Sequence, residues 1–584
     1  MSMRIRIIRG AVLLLSLAAA CAGCTLVPTQ GPIERVEQTS SVNRQPRVDV
    51  AALPPAQDAS PELILEGFLA ACENSANGYD VARQYLTPRA AKDWRPENGA
   101  TIYATSSESK VITADGSAIL RLVVTGQLSP AGRYSPAPEQ AKSHDFVLTR
   151  VDGQWRIDNP GDGVLLSQLR FHRAFRPAEV YYLRPDGRGL IAEQVFVPSH
   201  DQSPDSLVRA LIAGPSQWLS PAVDTAFPPM TTSSGSWRDS SGLVHVNLSE
   251  QVEALQPDQR VQMAAQLLFS LRAAGWGERL TVNVAGRPLS IRGVDSTGVL
   301  RSADLAPLAP VAPKAARDIF AVRDGTLVRV DDVAPGRVEA LRVQPTMPAE
   351  QGIGEIASWD NGQLFAIADD RRTMIQLLSA DGTFSEIISA PGVFGLHFDA
   401  VGDLWWVANV DGKVTIWRRT LTGLIAAFEQ PQLAARSVSA IEISPDRGRI
   451  ALIVTDPQGN QEFGYLRVRW AEQVVVDGWQ PLPLIEDDKP MGVLRDLGWE
   501  SAARMYVLGA VSAGQRLDVK AVDLDAATIS SIGPMFDAAP LRMSVSLGGQ
   551  RPMILTEQGR LLRHEDQYRW VPLAERLSTV EYSS

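Results

Sequence analysis

Over its last 265 or so residues the chain repeats one small theme, and few architectures accept a repeat of that length. The segments Ile356-Ala357-Ser358-Trp359-Asp360, Leu396-His397-Phe398-Asp399, Ile441-Glu442-Ile443-Ser444-Pro445-Asp446, Leu497-Gly498-Trp499-Glu500 and Met543-Ser544-Val545-Ser546 each precede another apolar strand, and their starts lie about 40 to 55 residues apart. A unit of that size suits four short antiparallel strands with loop insertions. One such sheet cannot bury its faces alone and must stack on its neighbours around an axis. The spacing therefore predicts a C-terminal β-propeller of about six blades, with five or seven also open. The pairs Asp324-Gly325, Asn361-Gly362, Asp381-Gly382 and Asp411-Gly412 suit its tight hairpins, where glycine accepts positive φ.

A chain of 584 residues exceeds what one core supports and predicts about three or four domains at ~150 residues each. From Ser60 and Pro61 a helix is expected with Leu63, Ile64, Phe68 and Leu69 on its apolar face, then a second helical piece over Tyr79 to Leu86. Period-two strands follow at Val111-Ile112, Ala118–Val124, His144–Leu148 and Gln154–Ile157. Helices before a curved antiparallel sheet suggest an α+β cone over 61–175, similar at fold level to the nuclear-transport-factor-like (NTF2-like) fold. Next, Leu207–Ala213 reads as an amphipathic helix stopped by Gly214-Pro215. Gly242–Ser249 and Thr281–Val284 read as strands on either side of a helical Ala264–Leu271. This order over 178–303 resembles the GerMN domain, an α+β module of spore-germination and envelope proteins. A Pro- and Ala-rich linker is expected over 304–316, and the propeller over 317–584. The fold class is multidomain, α+β followed by all-β.

The first thirty residues point to export. Arg4, Arg6 and Arg9 precede an apolar run from Ala11 to Ala20, too short to span ~30 Å of hydrocarbon as a helix. Ala22-Gly23-Cys24 has the small-small-Cys ending of a bacterial lipobox, making 1–23 a lipoprotein signal peptide and Cys24 the lipidated residue, an N-palmitoyl and S-diacylglycerol cysteine. Leu17-Ala18-Ala19-Ala20-Cys21 offers Cys21 as a competing site. Residues 24–60, polar and without period, read as a tether. Acyl chains at ~0.8 kcal/mol per buried methylene would hold the chain on the outer face of the cell membrane.

Little else in the sequence carries chemistry. A net charge of −10 argues against a nucleic-acid partner, which needs clustered cations. Cys21, Cys24 and Cys72 exclude a disulfide framework, and the six histidines stand at no metal-ligand spacing. No metal or cofactor is expected. Ser107-Glu108-Ser109-Lys110 matches the Ser-x-x-Lys of penicillin-binding enzymes, but it stands before a strand and lacks the companion motifs. Glu486-Asp487-Asp488 reads as a solvated loop. Trp405, Trp406, Trp417, Trp470, Trp479, Trp499 and Trp570 read as packing between blades rather than a sugar platform, and Cys72 as a small buried residue.

Lipobox, tether, α+β domain, GerMN-like domain and propeller together closely resemble the actinobacterial LpqB lipoprotein family across nearly the whole chain. Cys24-Thr25-Leu26-Val27-Pro28 looks like the start of that family and favours Cys24 over Cys21. The resemblance implies a non-enzymatic lipoprotein that binds the extracellular part of a sensor histidine kinase, the MtrB of an MtrA/MtrB-type two-component system, and tunes its signalling in envelope homeostasis and division. It carries over no catalytic residue. Two alternatives remain open: a hydrolase of peptidoglycan or other envelope glycan, and a carrier of a small envelope ligand.

Overall fold

The computed structural model describes residues 52–583, apart from 114–116, 202, 296, 312–317, 349–350, 534–538, 549–550 and 567–568, and without the side chains of 138–140. The signal 1–23, Cys21, Cys24 and most of the tether lie outside the described residues. No helix among the described residues is long and apolar enough to cross a membrane.

Ser60 caps the first helix, Pro61–Ala71, accepting the Leu63 N–H on its Oγ at 3.4 Å, with Pro61 in the first turn. The helix buries Ile64, Leu65, Phe68 and Leu69. Leu63, expected on that face, is 58% exposed. The i, i+4 pairs 64/68 and 65/69 line one side of the helix, and position 63 falls on the other. The expected second helix shortens to Asp80–Arg83 and is followed by Pro88–Asp93, capped by Thr87. These helices cover a sheet whose strands run in the order Gln154–Ile157, Tyr134–Val151, Ser117–Leu128, Ala100–Tyr103, Val164–Ser167. Ala100–Tyr103 and Val164–Ser167 are parallel to each other. Phe68, Trp94, Phe146 and Cys72 fill the space between helices and sheet.

The middle domain opens with a hairpin, Phe175–Leu183 and Leu190–Pro198. Val244–Leu248 and Arg279–Val284 are parallel, joined by a crossover through the helix Pro257–Ala273, with Ser233–Arg238 on the outer side. The helix is buried on most sides, and its polar groups are used. Gln266 bonds the Ala226 N–H and the Tyr181 carbonyl, and the Ser270 hydroxyl accepts the Tyr181 N–H. The segment read as a linker from 304 begins packed: Ser302–Leu308 forms helical turns, and Leu305 inserts into this core.

Among the described residues, the remaining strands form six four-stranded antiparallel sheets whose innermost strands touch in a closed ring, and a two-stranded hairpin, Ile485–Glu486 with Lys489–Pro490, on the connection between the fourth and fifth of them. In chain order these inner strands are Ile353–Trp359, Val393–Phe398, Ser437–Ile443, Val493–Ser501, Pro540–Ser544 and Leu577–Tyr582. The last belongs to blade 1, pairing with Ile319–Arg323, so the C-terminus supplies one strand to a sheet otherwise built from the start of the propeller. Asp324 and Gly325 both take positive φ in the hairpin that follows, as a tight turn requires.

The cores of the three regions interlock. Phe196 of the middle-domain hairpin is buried among the N-terminal aromatics Tyr134 and Phe171. Trp218 of the middle domain packs on the core between blades 4 and 5. At Gly448 a Cβ would lie 2.7 Å from Cγ2 of Ile191, so glycine lets the blade 4 turn pack against the Ile191 side chain of the hairpin.

Candidate functional site on the propeller axis and at its joint

Each inner strand places one charged or titratable side chain at the axis: Glu581, Glu355, His397, Glu442, Asp496 and Arg542, for blades 1 to 6 in turn. His397 Nδ1 lies 2.9 Å from Glu442 Oε2, and Arg542 reaches past blade 1 to Glu355 at 3.4 Å. Asp496 accepts the Leu497 and Met543 N–H groups at 3.0 and 2.7 Å, and Glu355 accepts the Gly395 N–H at 2.6 Å. Most of these bonds run from one blade to another, so the ring laces the blades together. A narrow cavity bordered by His397, Glu442, Trp499, Glu581 and Tyr582 lies at one end of the axis.

Burial pushes the Asp496 carboxyl up to about 6, against the pull of Arg542 and two N–H donors. Burial, then repulsion from Glu442, Asp496 and Glu355, carries Glu581 well above the carboxylate range. For His397, burial opposes the imidazolium, but the Glu442 carboxylate outweighs it and the pKa rises. The folded ring thus holds protons that the unfolded chain would release, and stability falls as pH rises above the ordinary carboxylate range. Glu581→Gln is expected to flatten this dependence. Its Tm should exceed that of the wild type by roughly 2–4 °C at pH 8 and match it near pH 4; scanning calorimetry at the two pH values checks this.

The second charged cluster joins the middle domain to the propeller. Arg447, in the turn of blade 4, donates from Nε to Asp399 Oδ2 and from Nη2 to Asp403 Oδ2, both at 2.8 Å, and lies 3.9 Å over the Trp470 ring. Asp399 also accepts from Trp405 Nε1 at 2.9 Å, Asp403 also binds Arg418, and Trp470 Nε1 donates to the Arg447 carbonyl. Arg184 of the middle domain sits 5.3 Å from the same Trp470 ring. Beside it, Asp446 Oδ2 accepts the Ala192 N–H at 3.0 Å, while Trp218 donates to the Gly478 carbonyl and accepts from Arg467 on its own carbonyl, each at 2.6 Å. Gln194 donates to Asp525 Oδ1 at 3.1 Å. Asp525 Oδ2 is closed off from solvent without a hydrogen-bond partner, and burial, with Asp523 nearby, pushes this carboxyl up to about 8.

The residues singled out in the sequence take structural places. Ser107 bonds the Ala104 carbonyl and the Val123 N–H, whereas Lys110 pairs with Glu108 and Glu66. Glu486 pairs with Lys520 at 2.6 Å, and Asp488 accepts from Ser106 Oγ at 2.6 Å, tying the propeller to the N-terminal domain. Trp405, Trp406, Trp470 and Trp499 are buried between blades, and Trp417 and Trp479 pack at their edges. Cys72 is buried among apolar side chains, which raises its thiol pKa far above the ordinary value. Among the described residues, no group of three or more His, Cys, Asp or Glu side chains is arranged to hold a metal ion.

Residues 54–172 match the family described as Lipoprotein LpqB, N-terminal domain, residues 179–290 match Sporulation and spore germination, and residues 325–580 match the Lipoprotein LpqB beta-propeller domain. Lipoprotein LpqB of Cutibacterium acnes is 30% identical over 588 aligned positions, covering 96% of this chain and 97% of that protein. The chain belongs to the LpqB lipoprotein family. LpqB of Thermobifida fusca is 26% identical over 96% of this chain and 97% of its own length, and LpqB of Streptomyces coelicolor 25% over 96% and 95%. Among solved structures, TolB from Acinetobacter baumannii is similar with a TM-score of 0.35 and 14% identity, covering 57% of this chain and 86% of that one. The middle-domain side of the joint lies within the 179–290 match and its propeller side within the 325–580 match.

Proposed function

We propose that this LpqB-family chain is exported, acylated at Cys24 and held on the outer face of the cell membrane, where it acts by contact. Its partner in this reading is the extracellular domain of a sensor histidine kinase of the MtrA/MtrB type, whose signalling it tunes in envelope homeostasis and division. The observation that carries the reading is the joint. The bonds from Asp446 to Ala192, Trp218 to Gly478 and Gln194 to Asp525, with Arg184 over Trp470, fix the middle domain on the propeller, so a partner touching either domain meets a single preformed surface and loses little freedom on binding. Domain limits of 61–175, 178–303 and 317–584 belong to the same reading, with the first a structural cone of the nuclear-transport-factor kind. Hydrolase and carrier alternatives need free polar groups in a cavity, whereas in the axial cavity His397 and Glu442 are paired with each other at 2.9 Å.

Two measurements test it. Cys24→Ala is expected to move the protein from the membrane fraction to the medium, while Cys21→Ala stays bound; firm retention of Cys24→Ala defeats the anchoring. Formaldehyde crosslinking of intact cells, followed by pull-down of the full chain, is expected to recover the kinase. Its consistent absence would defeat the partner.

A further inference from the structure

Exposed large apolar side chains gather on blades 2 and 3. Phe384, Ile387, Val401, Leu421, Leu424 and Ile425 are all exposed, with Ile387 at 62% and Leu424 at 71%. Two bonds bring them together: Arg419 of blade 3 pairs with Glu386 of blade 2, and the Leu421 N–H reaches Asp403 Oδ1, in the turn that carries Val401. The outer strand of blade 3, Ile425-Ala426-Ala427-Phe428-Glu429, has no charge before its last residue and pairs on one side only, with Lys413–Arg419. Gln430 N–H donates to the Val414 carbonyl, and Thr420 N–H to the Leu424 carbonyl. The alternation of an antiparallel ladder therefore turns the N–H and C=O groups of Ile425, Ala427 and Glu429 away from the sheet. Native edges are usually blunted by charge, proline or a bulge; here Ile425–Phe428 offers none of these.

We propose that this edge is where the partner docks, by adding an uncharged, apolar extended segment to Ile425–Glu429 and covering Leu421, Leu424 and Ile387. The inference rests on the contact reading above and names its surface. The occupant's chemistry follows from the patch, since backbone groups of an open strand accept another strand and the exposed large side chains around it are apolar. Its position is continuous with the joint. One carboxylate, Asp403, holds the Leu421 N–H on the patch side and Arg447 on the joint side, so a partner on this edge lies next to the middle domain.

The test places a photo-crosslinking residue at Leu424 in the full-length lipoprotein in living cells. A control probe goes to Val333, 75% exposed in the corresponding turn of blade 1. Capture of the kinase from position 424 should exceed that from 333 at least tenfold, and Ala427→Lys in the same chain should reduce it at least tenfold. Leu424→Asn, on an exposed tip outside the core, should weaken formaldehyde recovery of the kinase with an unchanged Tm. The proposal is overturned if 333 captures the kinase as well as 424 does, if 424 yields only a second copy of the chain or lipid, or if Ala427→Lys leaves capture intact. Formaldehyde recovery without capture at 424 overturns this surface alone. Failure of both overturns the kinase reading itself.

Discussion

Arg447→Ala is expected to lower stability by about 3–5 kcal/mol, the cost of leaving buried carboxylates without their cation. Arg447 is the counter-charge shared by Asp399 and Asp403, both buried, and it covers Trp470. Arg418 still reaches Asp403, so the larger part of the cost falls on Asp399, left with the Trp405 N–H and its neighbouring backbone donors. Two further variants separate the causes. Arg447 has a φ of +61°, so Arg447→Gly relaxes the backbone while removing the charge. If charge dominates, glycine is nearly as damaging as alanine. Arg447→Lys should recover only part of the loss, because a single ammonium cannot address two carboxylates as the planar fork does. Urea unfolding of the three variants checks this, and a loss below about 1 kcal/mol for alanine would show that the buried Asp399 and Asp403 do not depend on this cation.

Asp525→Asn is expected to act in the opposite direction. Its carboxyl titrates near 8 in the fold against 3.8 ordinarily, so the folded protein keeps a proton that the unfolded chain gives up. Below about pH 4 both states are protonated and the group costs nothing. Between pH 4 and 8 each unit removes about 1.4 kcal/mol, and above 8 the loss is complete. Asparagine cannot ionise, still offers an oxygen to Gln194 and Ala527, and should be more stable than the wild type by up to about 5 kcal/mol at pH 8, with no gain at pH 4. Stability measured at several pH values decides it; a gain that does not vary with pH would assign the effect to something other than this carboxyl.

The propeller was legible because its inner strands are short apolar runs at a regular spacing, and five of the six stood out in the sequence. The sixth did not, since its sheet is assembled from Ile319–Val330 and Leu577–Tyr582 at opposite ends of the region. The hairpin Phe175–Leu183 and Leu190–Pro198 escaped for another reason. Leu190–Val197 is buried throughout, and a strand covered on both faces shows no alternation. The axial ring had a faint signal: His397 and Glu442 each sit between two apolar residues within the repeats, as Glu581 does in the closing strand. A lone polar residue in one strand means little; its recurrence at the axis appears only when the strands are in register. Arg447 and Asp525 lie in turns, where charge is ordinary, and only the fold shows that another domain covers them.

Because Leu577–Tyr582 completes the sheet that begins at Ile319, with Ser578 and Val322 in contact 256 residues apart, the ring cannot close during synthesis until Leu577–Tyr582 has emerged. A product lacking that ribbon would leave the axis-facing edge of Ile319–Arg323 unpaired and the ring of inner strands open between Pro540–Ser544 and Ile353–Trp359.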